Sequence, residues 1–216
     1  MLPPIAAGAS CGVSIVRAMA IRSYRPGDRA AVYDICLRTG DAGADASHLV
    51  SDPELPGHVY AGPYLALCPE LAFVLELPGA VAGYVIGALD TRAFVDAYRE
   101  RWLPRLAGSH PPPAGPPATH EERLLDTLHR PELLFEPRFP QHPSHLHINL
   151  LARARGRGNG RALIETICAA LGAAGSPGVH LGVQRRNERA LGFYPRAGFE
   201  RIHADADAVF FGRKLA

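Results

Sequence analysis

Three observations predict an α/β (α+β) fold. Between Ser144 and Ala174 the hydrophobic period changes from two to about 3.6 residues within one continuous stretch, a strand running into a helix. Residues 72–89 hold two apolar runs joined by Pro78-Gly79, the signature of a hairpin. Phe199 to His203 and Val209 to Lys214 read as a closing strand pair. A chain of 216 residues with 47% hydrophobic content fills one core and is short for two full domains. A single domain is therefore expected over residues 21–216, preceded by a flexible extension at 1–20 that is apolar, small-rich and without a basic leader region. Met19 is the alternative first residue.

In chain order, Ile21 to Arg25 reads as a first strand, and Pro26-Gly27-Asp28 breaks it and offers Asp28 as a helix N-cap. Val32, Ile35 and Cys36 mark the buried stripe of a helix ending near Thr39, and residues 40–63, rich in Gly, Asp and Pro, read as loop. After the hairpin, Phe94, Val95, Tyr98 and Trp102 stand at helical spacing, so a helix is expected from about Thr91 to Leu103. The run from Pro111 to Pro117 is an extended excursion. Thr119 with Glu122 forms a capping box that opens a helix with Leu124, Leu125 and Leu128 as its apolar face.

The central stretch follows. His145, His147 and Asn149 alternate with Leu146, Ile148 and Leu150, and after Gly160 the residues Leu163, Ile164, Ile167, Cys168 and Leu171 fall on one helical stripe. The turn between them reads Arg155-Gly156-Arg157-Gly158-Asn159-Gly160-Arg161. Its glycines leave backbone N–H groups unshielded at the positive end of a helix dipole, with arginines interleaved, which makes an anion cradle; the same glycines would also serve simple loop geometry. Spacing excludes two phosphate loops: Gly160 is followed by Arg161-Ala162 rather than Lys-Ser/Thr, and Arg161 stands where a dinucleotide fingerprint needs its third glycine.

Composition removes other classes. A net charge of +2 from 23 basic and 21 acidic residues gives no global field for nucleic acid or a membrane surface. Cys11, Cys36, Cys68 and Cys168 are scattered without CxxC spacing, so neither a zinc site nor a disulfide framework is expected, and a reducing cytoplasm is the simplest setting. His145 and His147 have only His142 as a nearby third ligand and no carboxylate close in sequence, so no metal is expected there either.

Arg155-x-x-Gly158-x-Gly160 on a strand-to-helix turn resembles motif A of the GCN5-related N-acetyltransferases (GNAT). Asn187-x-x-Ala190-x-x-Phe193-Tyr194-x-x-x-Gly198-Phe199, after the short apolar strand Gly178 to Val183, is similar to their motif B. Together they cover about the last third of the chain. A looser likeness runs through Val32 to Thr39, Gly43-Ala44-Asp45, Pro69-Glu70, Gly83-Tyr84, Asp90 and His147-Ile148-Asn149; it resembles the acetyltransferase-like C-terminal domain of O-GlcNAcase and its bacterial relatives.

The resemblance implies a mixed, mostly antiparallel sheet flanked by helices and splayed between the motif A strand and the next, with a helical, proline-rich insertion near 91–140. It implies acetyl-CoA as cofactor. Arg155, Gly156, Arg157, Gly158, Asn159, Gly160 and Arg161 would hold the pyrophosphate, the backbone of Leu150 and Leu151 would pair with the pantetheine arm, and Asn187, Ala190, Phe193 and Tyr194 would complete the coenzyme site. Acetyl would pass to a primary amine, of a small molecule or a peptide, by direct attack. Tyr194 is the proton donor to the thiolate. His147 is the base, directly or through water, with His145 beside it, since a His-x-His pair on this strand resembles the arylalkylamine N-acetyltransferases. Asn149 stands where the O-GlcNAcase-like branch carries an aspartate, and it would orient the acetyl group or acceptor. That replacement leaves an alternative open: a binding module that holds acetyl-CoA without turnover. Asp41 and Asp45 are either solvated turn residues or contacts for a cationic acceptor.

Overall fold

The computed structural model describes residues 19–134 and 139–215. Its strands are β1 (Ala20–Ser23), β2 (Ala72–Leu77), β3 (Ala80–Ala88), β4 (Ser144–Leu150), β5 (Gly178–Gln184), β6 (Glu200–Ala204) and β7 (Ala208–Lys214). They form one sheet in the order β1-β2-β3-β4-β5-β7-β6. Every neighbouring pair is antiparallel except β4 and β5, which run parallel. The mixed, mostly antiparallel sheet expected from the sequence is the sheet observed. Residues 1–18, most of the expected extension, lie outside the described residues, and Ala20 already belongs to β1.

The sheet divides the apolar interior into two cores because strand side chains alternate in direction. One core gathers Val74, Tyr84 and Ile86 against α1 (Arg29–Leu37), α2 (Leu55–Tyr60), α3 (Gly62–Leu67), α4 (Thr91–Ala97) and α5 (His120–His129). The other gathers Leu75, Val85 and Leu146 against α6 (Asn159–Ala173) and α7 (Glu188–Phe193). The α6 stripe is as expected: Leu163, Ile164, Ile167 and Leu171 are fully buried. Each such side chain contributes about 1.5–3 kcal/mol relative to exposure.

Three elements differ from expectation. The end of the expected 40–63 loop is helical, in α2 and the start of α3, and each of these helices carries its proline, Pro56 or Pro63, in the first turn, where no intrahelical donor is lost. The side chain of Asp28 does not cap α1. It accepts hydrogen bonds from Arg22 at 2.7 and 2.9 Å and from the Arg25 N–H at 2.8 Å, closing a short turn over Pro26–Asp28. The helix that Asp90 caps is α-helical only to Ala97 and continues as a π-helical turn from Tyr98 to Trp102. The capping box of α5 forms as read, with Thr119 Oγ1 accepting from Glu122 N–H at 3.1 Å and Glu122 from Thr119 N–H at 2.9 Å. Among the described residues, Cys36, Cys68 and Cys168 are free thiols, and no helix is long and apolar enough to cross a membrane.

Candidate active site

The parallel pair β4 and β5 is hydrogen-bonded at one end only. Ser144 pairs with Val179 and His145 with His180, yet β4 continues to Leu150 and β5 to Gln184. The closed end is fastened by side chains: Ser144 and Ser176 share a hydroxyl hydrogen bond of 2.7 Å, and His180 Nδ1 donates to His142 O at 2.7 Å. Toward the open end the strands part and leave a cleft of about 870 Å³.

The backbone of β4 decides what faces this gap. Leu151 N–H donates to Ala82 O on β3. Because one residue's N–H and C=O point to the same side of a strand, Leu150, one position earlier, presents its backbone to the gap. The Leu150 carbonyl there accepts from Arg155 Nε at 3.0 Å. Leu151 is thereby corrected: its N–H is committed to β3 and its side chain packs in the α1–α5 core.

Beyond β4 the chain makes the glycine-rich turn. Gly156, Arg157 and Gly158 have φ of 79°, 51° and 79°, three successive left-handed residues, of which only the arginine is strained. A Cβ on Gly156 or Gly158 would meet nothing within 4 Å, so the loop surface is open to a ligand. This turn ends on α6, whose fifteen residues direct their N-terminal dipole at the loop. Asn159 does not line the cleft; it is buried, and its Nδ2 donates to Ala154 O at 2.9 Å to hold the turn's shape.

Most of the residues expected from the sequence line one cleft: Asn149, Leu150, Arg155, Gly156, Arg157, Gly158, Gly160, Arg161, Asn187, Ala190, Phe193 and Tyr194. Six arginines, Arg38, Arg155, Arg157, Arg161, Arg189 and Arg196, stand on its wall against one carboxylate, Asp45, so the cleft favours a polyanion. Arg155 is also a tie, since its Nη2 donates to Gly43 O at 2.7 Å and holds the 40–46 loop over the motif A turn. Arg189 and Arg196, seven positions apart at variable positions inside motif B, are cleft residues that the motif pattern does not mark. Arg38, Thr39 and Ala42 to Asp45 belong to no motif A or motif B pattern and reach the cleft through the fold.

Tyr194 is buried, with its ring against Phe193, Phe199 and Phe211, and burial raises its phenol above the ordinary value. Asn149 Nδ2 donates to Thr39 Oγ1, which itself donates to Ile35 O at 2.6 Å, so the amide is held in one orientation. His147 is not on the cleft wall. Its ring lies among Tyr60, Tyr64 and His145, and burial pushes its imidazole down to about 4, leaving a weak base at neutral pH. His145 is fully enclosed with Nδ1 at 2.9 Å from Thr91 Oγ1, and burial holds it well below the usual imidazole range.

Asp41 pairs with Arg186, outside the cleft, and Asp45 Oδ1 accepts from Ser47 N–H at 2.8 Å while its residue remains on the cleft wall. His142 does not converge with His145 and His147: among the described residues, the one group of ligating side chains close enough to share a metal lies elsewhere.

The family profile described as the Acetyltransferase (GNAT) family matches residues 45–199. Protein O-GlcNAcase from Rattus norvegicus and its counterpart from Mus musculus are each 29% identical over 201 residues, covering 90% of this chain and 22% of the relative. The chain thus spans about a fifth of the length of these curated relatives. A crystal structure of SsHAT is similar at 45% identity and a TM-score of 0.89, covering 93% of this chain and 100% of that one. The protein yncA from Salmonella typhimurium, solved with its cofactor acetyl-CoA, matches at 15% identity and a TM-score of 0.55 over 93% of this chain and 95% of that one, a likeness of fold alone.

Proposed function

We propose that this chain, which belongs to the acetyltransferase (GNAT) family, binds acetyl-CoA in the cleft between β4 and β5 and transfers its acetyl group to a primary amine. The observation that carries the reading is the glycine-rich turn at the mouth of the splayed pair, with bare N–H groups, a helix N-terminus and arginines gathered on one polyanion-sized cleft. The N–H groups of Gly156, Arg157, Gly158, Gly160 and Arg161 take the diphosphate, that of Asn159 being bonded to Gly156 O, and the outward backbone of Ile148 and Leu150 takes the pantetheine arm as an added strand. Acetyl-CoA supplies an activated thioester when bound.

The chain's own groups then do the remaining work. Asn149, fixed by Thr39, presents its Oδ1 as an acceptor that orients the incoming amine. Tyr194 gives its proton to the departing sulfur. Burial makes that phenol a weaker acid than in water, so it gives up its proton only as negative charge builds on the sulfur beside it. His147 acts by positioning, through the tyrosine layer beneath β4, because its imidazole is off the cleft wall and too weakly basic to take a proton from an ammonium group. The amine sheds one proton to water before it attacks, and the proton that its nitrogen must still lose as the amide forms passes through water to restore the Tyr194 hydroxyl.

The test is thiol release from acetyl-CoA across a panel of small amines and peptides. Acceptor-dependent release supports transfer. Tight acetyl-CoA binding with no release on any amine would leave a binding module.

A further inference from the structure

We propose that Asp52, His58 and His110 form a binding site for one divalent transition-metal ion, zinc by the chemistry of its donors. The three ligand atoms lie within 4.8 Å of one another, and none of these residues lines the acetyl-CoA cleft. Two imidazoles and a carboxylate are a common donor set for such an ion, and no residue of this set serves the proposed transfer.

Each donor is already aimed. Asp52 Oδ1 accepts from Glu54 N–H at 2.8 Å, which turns Oδ2 toward His110 Nε2 at 2.9 Å. Ser109 Oγ donates to Leu106 O at 3.1 Å and so accepts from His110 Nδ1–H at 2.9 Å, leaving the Nε2 lone pair facing Asp52. A lone pair and a carboxylate oxygen so close repel unless a cation, a proton or a metal ion, lies between them. At His58, Nδ1 is 3.2 Å from the Tyr33 hydroxyl, and the tautomer in which that nitrogen carries the proton leaves Nε2 free for a metal ion. In that tautomer both imidazoles have Nδ1 held by a hydroxyl, the outer contact that orients a metal-binding histidine. Water would complete the coordination, since the nearby Glu54 carboxylate is held by Arg29 at 3.2 Å through both of its oxygens.

Tetrahedral zinc with bonds of about 2.0–2.1 Å needs donors roughly 3.3 Å apart. The cluster reaches that spacing by small rotations of Asp52 and His110, which are only partly covered. His58 belongs to α2, Asp52 to the turn before it, and His110 to the stretch just ahead of the Pro111 to Pro117 run, so a bound ion would clamp the insertion onto α2. Intervals of six and fifty-two residues explain why no ligand motif was legible.

The test uses the full chain stripped with a chelator. One Zn2+ per chain should bind, raising the thermal midpoint, and Co2+ should give the visible absorption of a tetrahedral site. Asp52→Asn keeps the side chain's size and its bond to Glu54, and His110→Gln keeps a polar atom in place. Each should weaken Zn2+ at least about tenfold while the metal-free melting point stays near wild type. Absence of stoichiometric uptake, or wild-type affinity in both variants, would overturn the site and leave the pair bridged by a proton only. Should a variant fail to fold, the zinc K-edge spectrum of the wild type decides: two imidazoles with carboxylate oxygen support the site, and any other ligand set refutes it.

Discussion

Replacing Gly57 by alanine sets two effects of opposite sign against each other. In a helix, the change removes backbone freedom from the unfolded chain and favours the fold by up to about 1 kcal/mol. Against that, a Cβ at position 57 would lie 2.2 Å from Tyr33 Cδ1 and 2.5 Å from Cγ. Tyr33 cannot step aside cheaply, because it is 4% exposed, meets His58 edge-on at 5.4 Å and carries the Arg29 guanidinium 4.0 Å above its ring. Forcing a methyl into such a contact costs about 1–3 kcal/mol, and an overlap of this size belongs at the upper end. The net expectation is a loss of about 2 kcal/mol, or roughly 4–8 °C in melting temperature for a domain of this length. Calorimetry of wild type and Gly57→Ala reads it directly. An unchanged or raised melting temperature would mean that α2 does not press its backbone against Tyr33, and the packing of α1 on α2 would have to be redrawn.

Other consequences follow from the same geometry. Tyr194→Phe should keep acetyl-CoA affinity within a few-fold and lower turnover by about 10²-fold or more, the range of a lost general acid; equal turnover would remove Tyr194 from the proton path. Burial holds His145 and His147 below their unfolded value of about 6.5, so the unfolded chain binds protons that the fold refuses, and stability falls as pH falls from about 6.5 toward about 4. Urea melts should show a lower midpoint at about pH 5 than at about pH 7.5, and His147→Gln should flatten that slope by up to one proton. A slope unchanged in the variant would contradict the burial of that imidazole.

Where the sequence was periodic, the fold was legible. The alternation at 145–150, the α6 stripe and the Thr119/Glu122 box each correspond to a local free-energy preference, and each element formed where read. Pro56, Gly57, Gly62 and Pro63 misled, because a helix breaker in the interior is harmless in a first turn, and because both glycines are there for close approach to Tyr33 rather than for a bend. Within the site, residues on the motif A turn and α7 were legible because their spacing carries the local geometry. Thr39 and Arg38 were not, since they reach the cleft from the end of α1, more than a hundred residues from Asn149. The depth of His147 was not legible for a related reason: alternation gives the face of a strand, not how much of the neighbouring helices covers it. Tyr60 and Tyr64, on α2 and α3, supply that cover.

The central claim is that the fork between β4 and β5 is an acetyl-CoA site governed by the glycine-rich turn, and titration calorimetry with acetyl-CoA addresses it most directly. Wild type should bind one acetyl-CoA per chain. Gly160→Val, whose Cβ would stand 3.3 Å from Phe193 Cζ, should lose at least about tenfold in affinity while its far-ultraviolet circular dichroism stays that of the wild type. A wild type that does not bind, or a folded Gly160→Val that binds as tightly as wild type, would contradict the account.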